Sequence, residues 1–313
     1  MVVISETIDS VGLERLEQAS LPIHYDPALW QSREKLSRWV SHADALVVRN
    51  QTAVSAELLE SASSLQVVGR LGVGLDNVDV AFAQARQIPV VTAKGANAVA
   101  VAEYVFACLL HFSRNLSTVA DTVRQGVWDR SLGGTELFGK TLGLIGLGDI
   151  AQRVMLRALS FGMQVIAYDP WQLSTRMATM ELGVALVSFE ELLTSSDFIS
   201  LHVPLNPQTA KLIDAKALAQ VRPSAHLINT SRGGVVDEDA LLAAIRRGDL
   251  AGAALDVRQQ EPPMADDLLK AQSRILSTPH IAGLTQEAGR RTALMVVEDV
   301  IRVLSGQPPL SSV

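Results

Sequence analysis

The stretch from 140 to 169, KTLGLIGLGDIAQRVMLRALSFGMQVIAYD, leaves a chain of this kind few ways to fold. It opens with an apolar run, 141–145, of the length of a buried parallel strand. Gly146 and Gly148 follow at once, then Ala151, in the pattern G-x-G-x-x-A. A helical repeat comes next, with Ile150, Val154, Ala158 and Phe161 spaced to share one face, and Gly162 stops it. A second apolar run, 165–168, ends on Asp169. The whole reads as a β–α–β unit with a dinucleotide fingerprint in its first turn.

Chemistry accounts for the spacing. Gly146 permits the tight turn, Gly148 lets the backbone approach a pyrophosphate, and the small Ala151 lets the helix pack on the strand. The helix N-terminus then offers unpaired N–H groups and a positive dipole end to the phosphates. Asp169 stands where a carboxylate accepts both ribose hydroxyls of the adenosine. The same charge repels a 2′-phosphate, so the expected cofactor is NAD rather than NADP.

At 313 residues the chain suggests about two domains, each able to bury a core. A net charge of −6 gives no reason to expect a nucleic-acid partner. The single cysteine, Cys108, lies in an apolar helical stretch and reads as core in a reducing compartment. The N-terminus, MVVISETIDS, carries Glu6 and Asp9 where a leader would carry positive charge, and no run is long and apolar enough for a membrane span. A cytoplasmic protein without membrane partners is expected. No His/Cys/Asp cluster shows ligand spacing, so no metal is expected.

Strands read at 2–5, 45–48, 66–69 and 88–92, with helices at 11–19 and 56–61 between them, argue for a parallel sheet. From 97 to 115, NAVAVAEYVFACLLHFSRN is apolar nearly all round, as a domain connector or subunit interface would be. Residues 116–138, with Trp128 and Gly133–Gly134, read as a less regular arm. Later strands are expected at 185–187, 198–201, 227–229, 252–255 and 275–277, and a last helix at 285–304 after a hinge at Gly283.

The stretches VVRNQTAVSAELLE, VVGRLGVGLDNVD, NAVAVAEYV, GLIGLGDIA, HVPLNPQTAKLI, INTSRGGVVDEDAL, AALDV, EPP and TPHIAG occur in this order along nearly the whole chain. In order and spacing the chain resembles the D-isomer-specific 2-hydroxyacid dehydrogenase family, and its first half resembles the 3-phosphoglycerate dehydrogenase branch, in a short form without regulatory domains. The resemblance implies an α/β fold of two Rossmann-like or flavodoxin-like domains with parallel sheets and a cleft between them. Residues 1–96 plus 284–313 would form a discontinuous substrate domain and 97–283 the NAD-binding domain. A homodimer through the 97–115 helix and the arm is implied as well.

Arg232 follows an apolar strand in NTSRGGVVDE, where open α/β sheets bind ligands. Its planar fork suits the carboxylate and carbonyl of a keto acid, and equally suits a pairing with Asp237 or Glu238 nearby. The resemblance selects the first reading and adds two residues. His280 in TPHIAG would be the acid–base group, imidazole being the side chain that titrates near neutral pH. Glu261 in QQEPP would hydrogen-bond the second ring nitrogen. On the cofactor side the resemblance implies Asp149 and Ile150 at the pyrophosphate beside Gly146 and Gly148, with Pro204 and Thr209 next to it. Thr230 and Asp256 would flank the nicotinamide, with Gly283 near it, and His202 would lie near the adenosine or be structural. Asp149 departs from the family, which commonly has arginine there.

On the substrate side the resemblance implies Val73 and Gly74 as the loop that holds a carboxylate through its N–H groups, with Asn97 beside it. Arg49 and Arg70 match positions facing the distal end of the substrate. Two cations there suit a second anion, as in 3-phosphoglycerate or 3-sulfolactate. A glycerate or hydroxypyruvate reductase is the alternative, a dehydrogenase for phosphite or formate another. A reading of a different class is an NAD-sensing corepressor-like protein, which the acidic chain without a basic stripe disfavours.

Overall fold

The computed structural model describes residues 1–170 and 182–313. The chain divides into two compact units, one of Met1–Asn97 with Leu284–Val313, the other of Ala98–Gly283. Every strand pairing in both sheets is parallel.

The first unit is built on β1 (Val2–Ile4), β2 (Ile23–Tyr25), β3 (Ala45–Val48), β4 (Val67–Arg70) and β5 (Val90–Thr92), in the order β2-β1-β3-β4-β5. This is the order of flavodoxin-like sheets, with its switch point between β1 and β3. The central strands are apolar at every position because helices cover both faces. One covering helix is the chain's last, Gln286–Leu304, whose Val296, Val297 and Val300 are fully buried. Its seat is Gly69 of β4, where a Cβ would come within 2.7 Å of Val296 Cγ1 and 3.1 Å of Val300 Cγ2. Buried Asp299 on the same helix accepts from the Leu310 and Ser311 amides, and Ser311–Val313 runs along β5.

Several elements of this unit were not legible in the sequence, among them β2, the helix Arg33–Val40 and the short helix Val80–Ala85. β2 is a three-residue edge strand with half-exposed side chains, and helix Arg33–Val40 buries only Leu36 and Val40, so neither shows a full apolar period.

The second unit carries β6 (Thr141–Ile145), β7 (Gln164–Tyr168), β8 (Ala185–Leu186), β9 (Phe198–Leu201), β10 (His226–Asn229), β11 (Gly252–Leu255) and β12 (Ile275–Ser277), in the order β12-β11-β10-β9-β6-β7-β8. Its switch point lies between β6 and β9, and the fingerprint turn leaves the end of β6 there. The helix after that turn, Asp149–Ser160, buries Ala151, Val154, Met155 and Ala158. Phe161, expected on the buried face, is instead 45 % exposed, because it lies past the last helical turn. Helix Ala98–Arg114 packs along Asp149–Ser160, and Cys108 within it is buried, its thiol pushed up to about 12 by desolvation. The arm is more regular than expected: Leu116–Arg124 is a helix, but one with no buried residue. No helix among the described residues is long and apolar enough to cross a membrane.

The β4 contact gives a test. Gly69→Val forces extra methyls against Val296 and Val300, and the expected cost is about 1–3 kcal/mol of stability. A urea midpoint equal to that of the parent chain would show that the last helix is not seated as described.

Candidate functional site

Most of the expected site residues of the second unit sit just past the carboxyl ends of its strands. Gly146 and Gly148 follow β6, Asp169 follows β7, Pro204 follows β9, Thr230 and Arg232 follow β10, Asp256 follows β11, and His280 follows β12. Parallel strands place these turns along one edge of the sheet, where ligands bind in open α/β folds.

The turn after β6 is shaped for close backbone approach. Gly146 has φ +88°, and a Cβ on it would lie 2.7 Å from the His202 carbonyl oxygen. Among the described residues nothing lies within 4 Å of the Cβ position of Gly148, and no side chain caps the helix that begins at Asp149. Asp169 turns one carboxylate oxygen back to the Leu147 amide at 2.8 Å, which ties the end of β7 to the glycine turn. The Thr230 hydroxyl is buried with no hydrogen-bond partner among the described residues. An open glycine cradle, an uncapped helix N-terminus and a buried polar atom in want of a partner fit a dinucleotide. Asp149 pairs with Arg153 one turn along, at 3.2 Å.

Thr209 and Asp256 turn inward. Thr209 is 2 % exposed and closes the 204–209 turn, donating to the Pro204 carbonyl and accepting from the Asn206 amide. Asp256 is 1 % exposed and spends its carboxylate on the loop after β12, accepting from the Thr278 hydroxyl (2.7 Å) and the Ile281 and Ala282 amides (2.8 Å each). Its carbonyl accepts from the His280 amide at 2.8 Å. Tyr104, on the apolar helix, hydrogen-bonds Thr278 from the other side, and burial pushes its phenol above the usual range.

This strapping explains the backbone of His280, which has φ +56°. A non-glycine residue there costs about 1–3 kcal/mol. Hydrogen bonds to a charged carboxylate contribute about 1.5–3 kcal/mol each, so three of them suffice to hold the strained turn. The turn presents the imidazole to Glu261, whose Oε2 lies 2.8 Å from His280 Nδ1. Both side chains remain well exposed, at 49 % and 38 %. Glu261 Oε1 accepts from the Arg258 amide at 2.9 Å.

Arg232 rests on a turn made by Asn229, which is fully buried at the end of β10. Asn229 accepts from the Ser231 amide and hydroxyl and donates to the Arg232 carbonyl at 2.9 Å. The nearby acids have other partners, Asp237 pairing with Lys211 and Glu238 with Arg258. Arg258 was not singled out from sequence, yet its side chain is only 6 % exposed. Burial opposes its charge, but hydrogen bonds to Glu238 and Asp267 outweigh it and hold the pKa above the ordinary value. His202 accepts burial as a neutral ring, lowered to about 4 by desolvation, with the Ser200 hydroxyl at 2.9 Å.

Arg49, Arg70, Val73, Gly74 and Asn97 all belong to the first unit. Arg49 and Arg70 stand at the ends of β3 and β4. The loop after β3 is clamped from below by Glu6, 3 % exposed, which accepts from the amides of Arg49, Gln51 and Thr52 at 2.8–3.0 Å. Asn77 adds bonds to the Arg49 and Thr52 carbonyls. In the sequence Glu6 counted only against a leader; its position two residues past the apolar strand β1 was the signal for a second use. Arg70 folds across Gly72 to the Leu71 carbonyl, and a Cβ on Gly72 would lie 1.8 Å from its Nη1. Val73 is exposed and Gly283 closes the second unit.

The Asp256 strap can be tested directly. Asp256→Asn points an amide N–H₂ at backbone donors, which is expected to cost about 1–3 kcal/mol and to speed exchange of the Ile281 and Ala282 amides. Amide protection unchanged by the substitution would refute the strap.

Comparison with known proteins places the chain in a family. Residues 106–282 match the model of the D-isomer specific 2-hydroxyacid dehydrogenase NAD-binding domain. D-3-phosphoglycerate dehydrogenase of Mycobacterium leprae is 46 % identical over 276 residues, covering 88 % of this chain and 52 % of that protein. The chain thus spans about half the length of that relative. (S)-Sulfolactate dehydrogenase of Chromohalobacter salexigens is 42 % identical over 97 % of this chain and 98 % of its own. The crystal structure of a Thermus thermophilus protein superposes with a TM-score of 0.91 at 34 % identity, covering 100 % of this chain and 99 % of the other. The chain belongs to the D-isomer-specific 2-hydroxyacid dehydrogenase family, and its second unit is of the family's NAD-binding type.

Proposed function

We propose that the protein is an NAD-dependent oxidoreductase that interconverts a small 2-hydroxy acid and its 2-keto acid. The observation that carries this reading is the 2.8 Å pair of Glu261 and His280, set on the same sheet edge as the Gly146–Gly148 turn and Asp169. NAD, when bound, supplies the acceptor or donor of the hydride exchanged with C2 of the substrate. In reduction His280 holds the proton that passes to the carbonyl oxygen, while Glu261 fixes the ring's orientation through Nδ1. Arg232 binds the substrate carboxylate and polarises the carbonyl. In oxidation neutral His280 takes the hydroxyl proton. Raising the pH therefore slows reduction, and lowering it slows oxidation. Asp169 favours NAD over NADP by repelling a 2′-phosphate.

In this reading residues 1–96 with 284–313 have the substrate role and 97–283 the cofactor role. Arg49 and Arg70 read a second anion on the substrate, a phosphate or a sulfonate, as the names of the Mycobacterium leprae and Chromohalobacter salexigens relatives support. Glycerate or hydroxypyruvate is the substrate if that anion is not required. Val73, Gly74 and Asn97 hold the carboxylate end. A homodimer is supported by large apolar side chains left exposed along the arm, with Trp128 79 %, Phe138 74 % and Leu116 65 % exposed. The lone buried thiol and the net charge of −6 support a cytoplasmic protein without nucleic-acid or membrane partners.

The test is turnover of NADH and NADPH with hydroxypyruvate, its 3-phospho form and 3-sulfopyruvate. His280→Gln is expected to lower kcat by about 10²–10⁴-fold. Arg49→Ala is expected to raise KM for the dianionic substrates by about tenfold or more and to leave KM for hydroxypyruvate nearly unchanged. An equal effect on both would remove the second-anion reading, and no turnover with any of them would remove the enzyme. Asp149→Arg places a cation at the pyrophosphate turn and frees Arg153, so a tighter NAD dissociation constant is expected. An unchanged or weaker constant would show that this position does not face the phosphates.

A further inference from the structure

We propose that Arg258 is a positioning residue for the acid–base pair: its buried guanidinium locks the loop that carries Glu261 to the helix that follows the Arg232 turn. The inference rests on the reading of Glu261 and His280 given above and names what holds them.

Arg258 lies between Asp256, the strap of the His280 loop, and Glu261, the partner of the His280 ring. Its Nε and Nη2 form a two-point fork on Glu238, at 3.0 and 2.9 Å, and its Nη1 reaches Asp267 at 2.8 Å. Glu238 opens the helix Glu238–Arg247, and Asp267 lies beyond Glu261 in the same long loop. The guanidinium therefore ties two points of this loop to the start of the helix Glu238–Arg247. The next residue repeats the tie: the Gln259 amide donates to Glu238 Oε1 at 2.7 Å, and the Gln259 side chain donates to the Val236 carbonyl at 2.7 Å.

The main chain of Arg258 does the other half. Its N–H donates to Glu261 Oε1 at 2.9 Å and leaves Oε2 for His280 Nδ1 at 2.8 Å. Any slack in the backbone of Arg258 would pass to Glu261 and then to the ring. Gly233 closes the remaining side, since a Cβ there would lie 1.9 Å from the Arg258 carbonyl carbon. The turn bearing Arg232 and the loop bearing Glu261 are thus pressed together backbone to backbone, with the guanidinium as the pin beneath.

Arginine suits this place for a chemical reason. A planar, permanently charged group with five donors serves two carboxylates in fixed directions, whereas a lysine ammonium is a point charge on a flexible stem. Desolvation offsets much of the attraction in a buried ion network, so stability is a poor account of its presence. A single geometry for Glu261 is what the network supplies. Among the described residues Glu261 meets the His280 ring, while the Asp256 carboxylate is spent on Thr278 and two amides and the Tyr104 hydroxyl meets Thr278.

The experiment compares Arg258→Lys and Glu238→Gln with Glu261→Gln and the parent chain. The readouts are the melting temperature, the NADH dissociation constant, the hydrogen-bonded Nδ1–H proton resonance of His280, and kcat and KM for keto-acid reduction across pH. Arg258→Lys keeps a positive charge between the two acids, and Glu238→Gln loosens the fork from the other side. Both are expected to fold, to bind NADH within about twofold of the parent, and to lower kcat by about tenfold with little change in KM. Both are expected to broaden or lose the Nδ1–H resonance and to change the pH profile of kcat, and the same is expected of Glu261→Gln. The proposal is overturned if the resonance and the pH profile stay as in the parent, or if kcat falls only in step with NADH binding and melting temperature. If the parent chain reduces no keto acid, the proposed activity fails and the resonance alone decides on Arg258: its persistence in Arg258→Lys overturns the pin, its loss upholds it.

Discussion

A buried carboxylate that satisfies a strained loop is the interaction on which the site depends. Asp256 leaves the end of β11 with 1 % of its surface exposed and gives both oxygens to the loop after β12. An acid so placed is costly unless it is fully hydrogen-bonded, and the loop has amides and a hydroxyl to offer. Each need meets the other, and the result is a left-handed His280 that would not persist alone. The imidazole is exposed because its backbone is not free.

The first unit uses the same device at the matching place. Glu6 follows β1, is almost fully buried, and accepts from three backbone donors of the loop after β3, the amides of Arg49, Gln51 and Thr52. In both sheets an acid at a strand's carboxyl end organises the loop of a neighbouring strand, and the proposed site residues Arg49 and His280 stand on those loops. Parallel pairing makes this economical, since all such ends lie on one edge. Asn229 is the neutral version, turning the chain after β10 so that Arg232 emerges beside the Arg258 backbone.

Much of this was legible in the residues. The strands at 45–48, 141–145, 198–201, 252–255 and 275–277 coincide with their apolar runs because buried parallel strands need such runs and helices interrupt them. The pairing of Glu261 with His280 came from resemblance to the family, and the geometry places the two 2.8 Å apart. Short edge elements such as β2, and the helix Leu116–Arg124 with no buried residue, left weaker traces since their side chains are half-solvated or exposed. The network of Arg258 with Glu238 and Asp267 left none, because an arginine and two acids spread over thirty positions look like ordinary surface charge until the chain folds.

The sequence by itself determined the α/β class, the dinucleotide turn with Asp169 behind it, and the family. These follow from local spacing: glycines at a strand end, a helical period, an acid about twenty residues on. Only the tertiary structure decided which polar residues turn inward to hold loops and which are left to meet a ligand. Asp256, Thr209 and Arg258 are consumed by the protein, while Thr230 keeps a buried hydroxyl without a partner among the described residues. The reason is that a side chain's partners are set by segments distant in sequence, and no spacing along the chain records them.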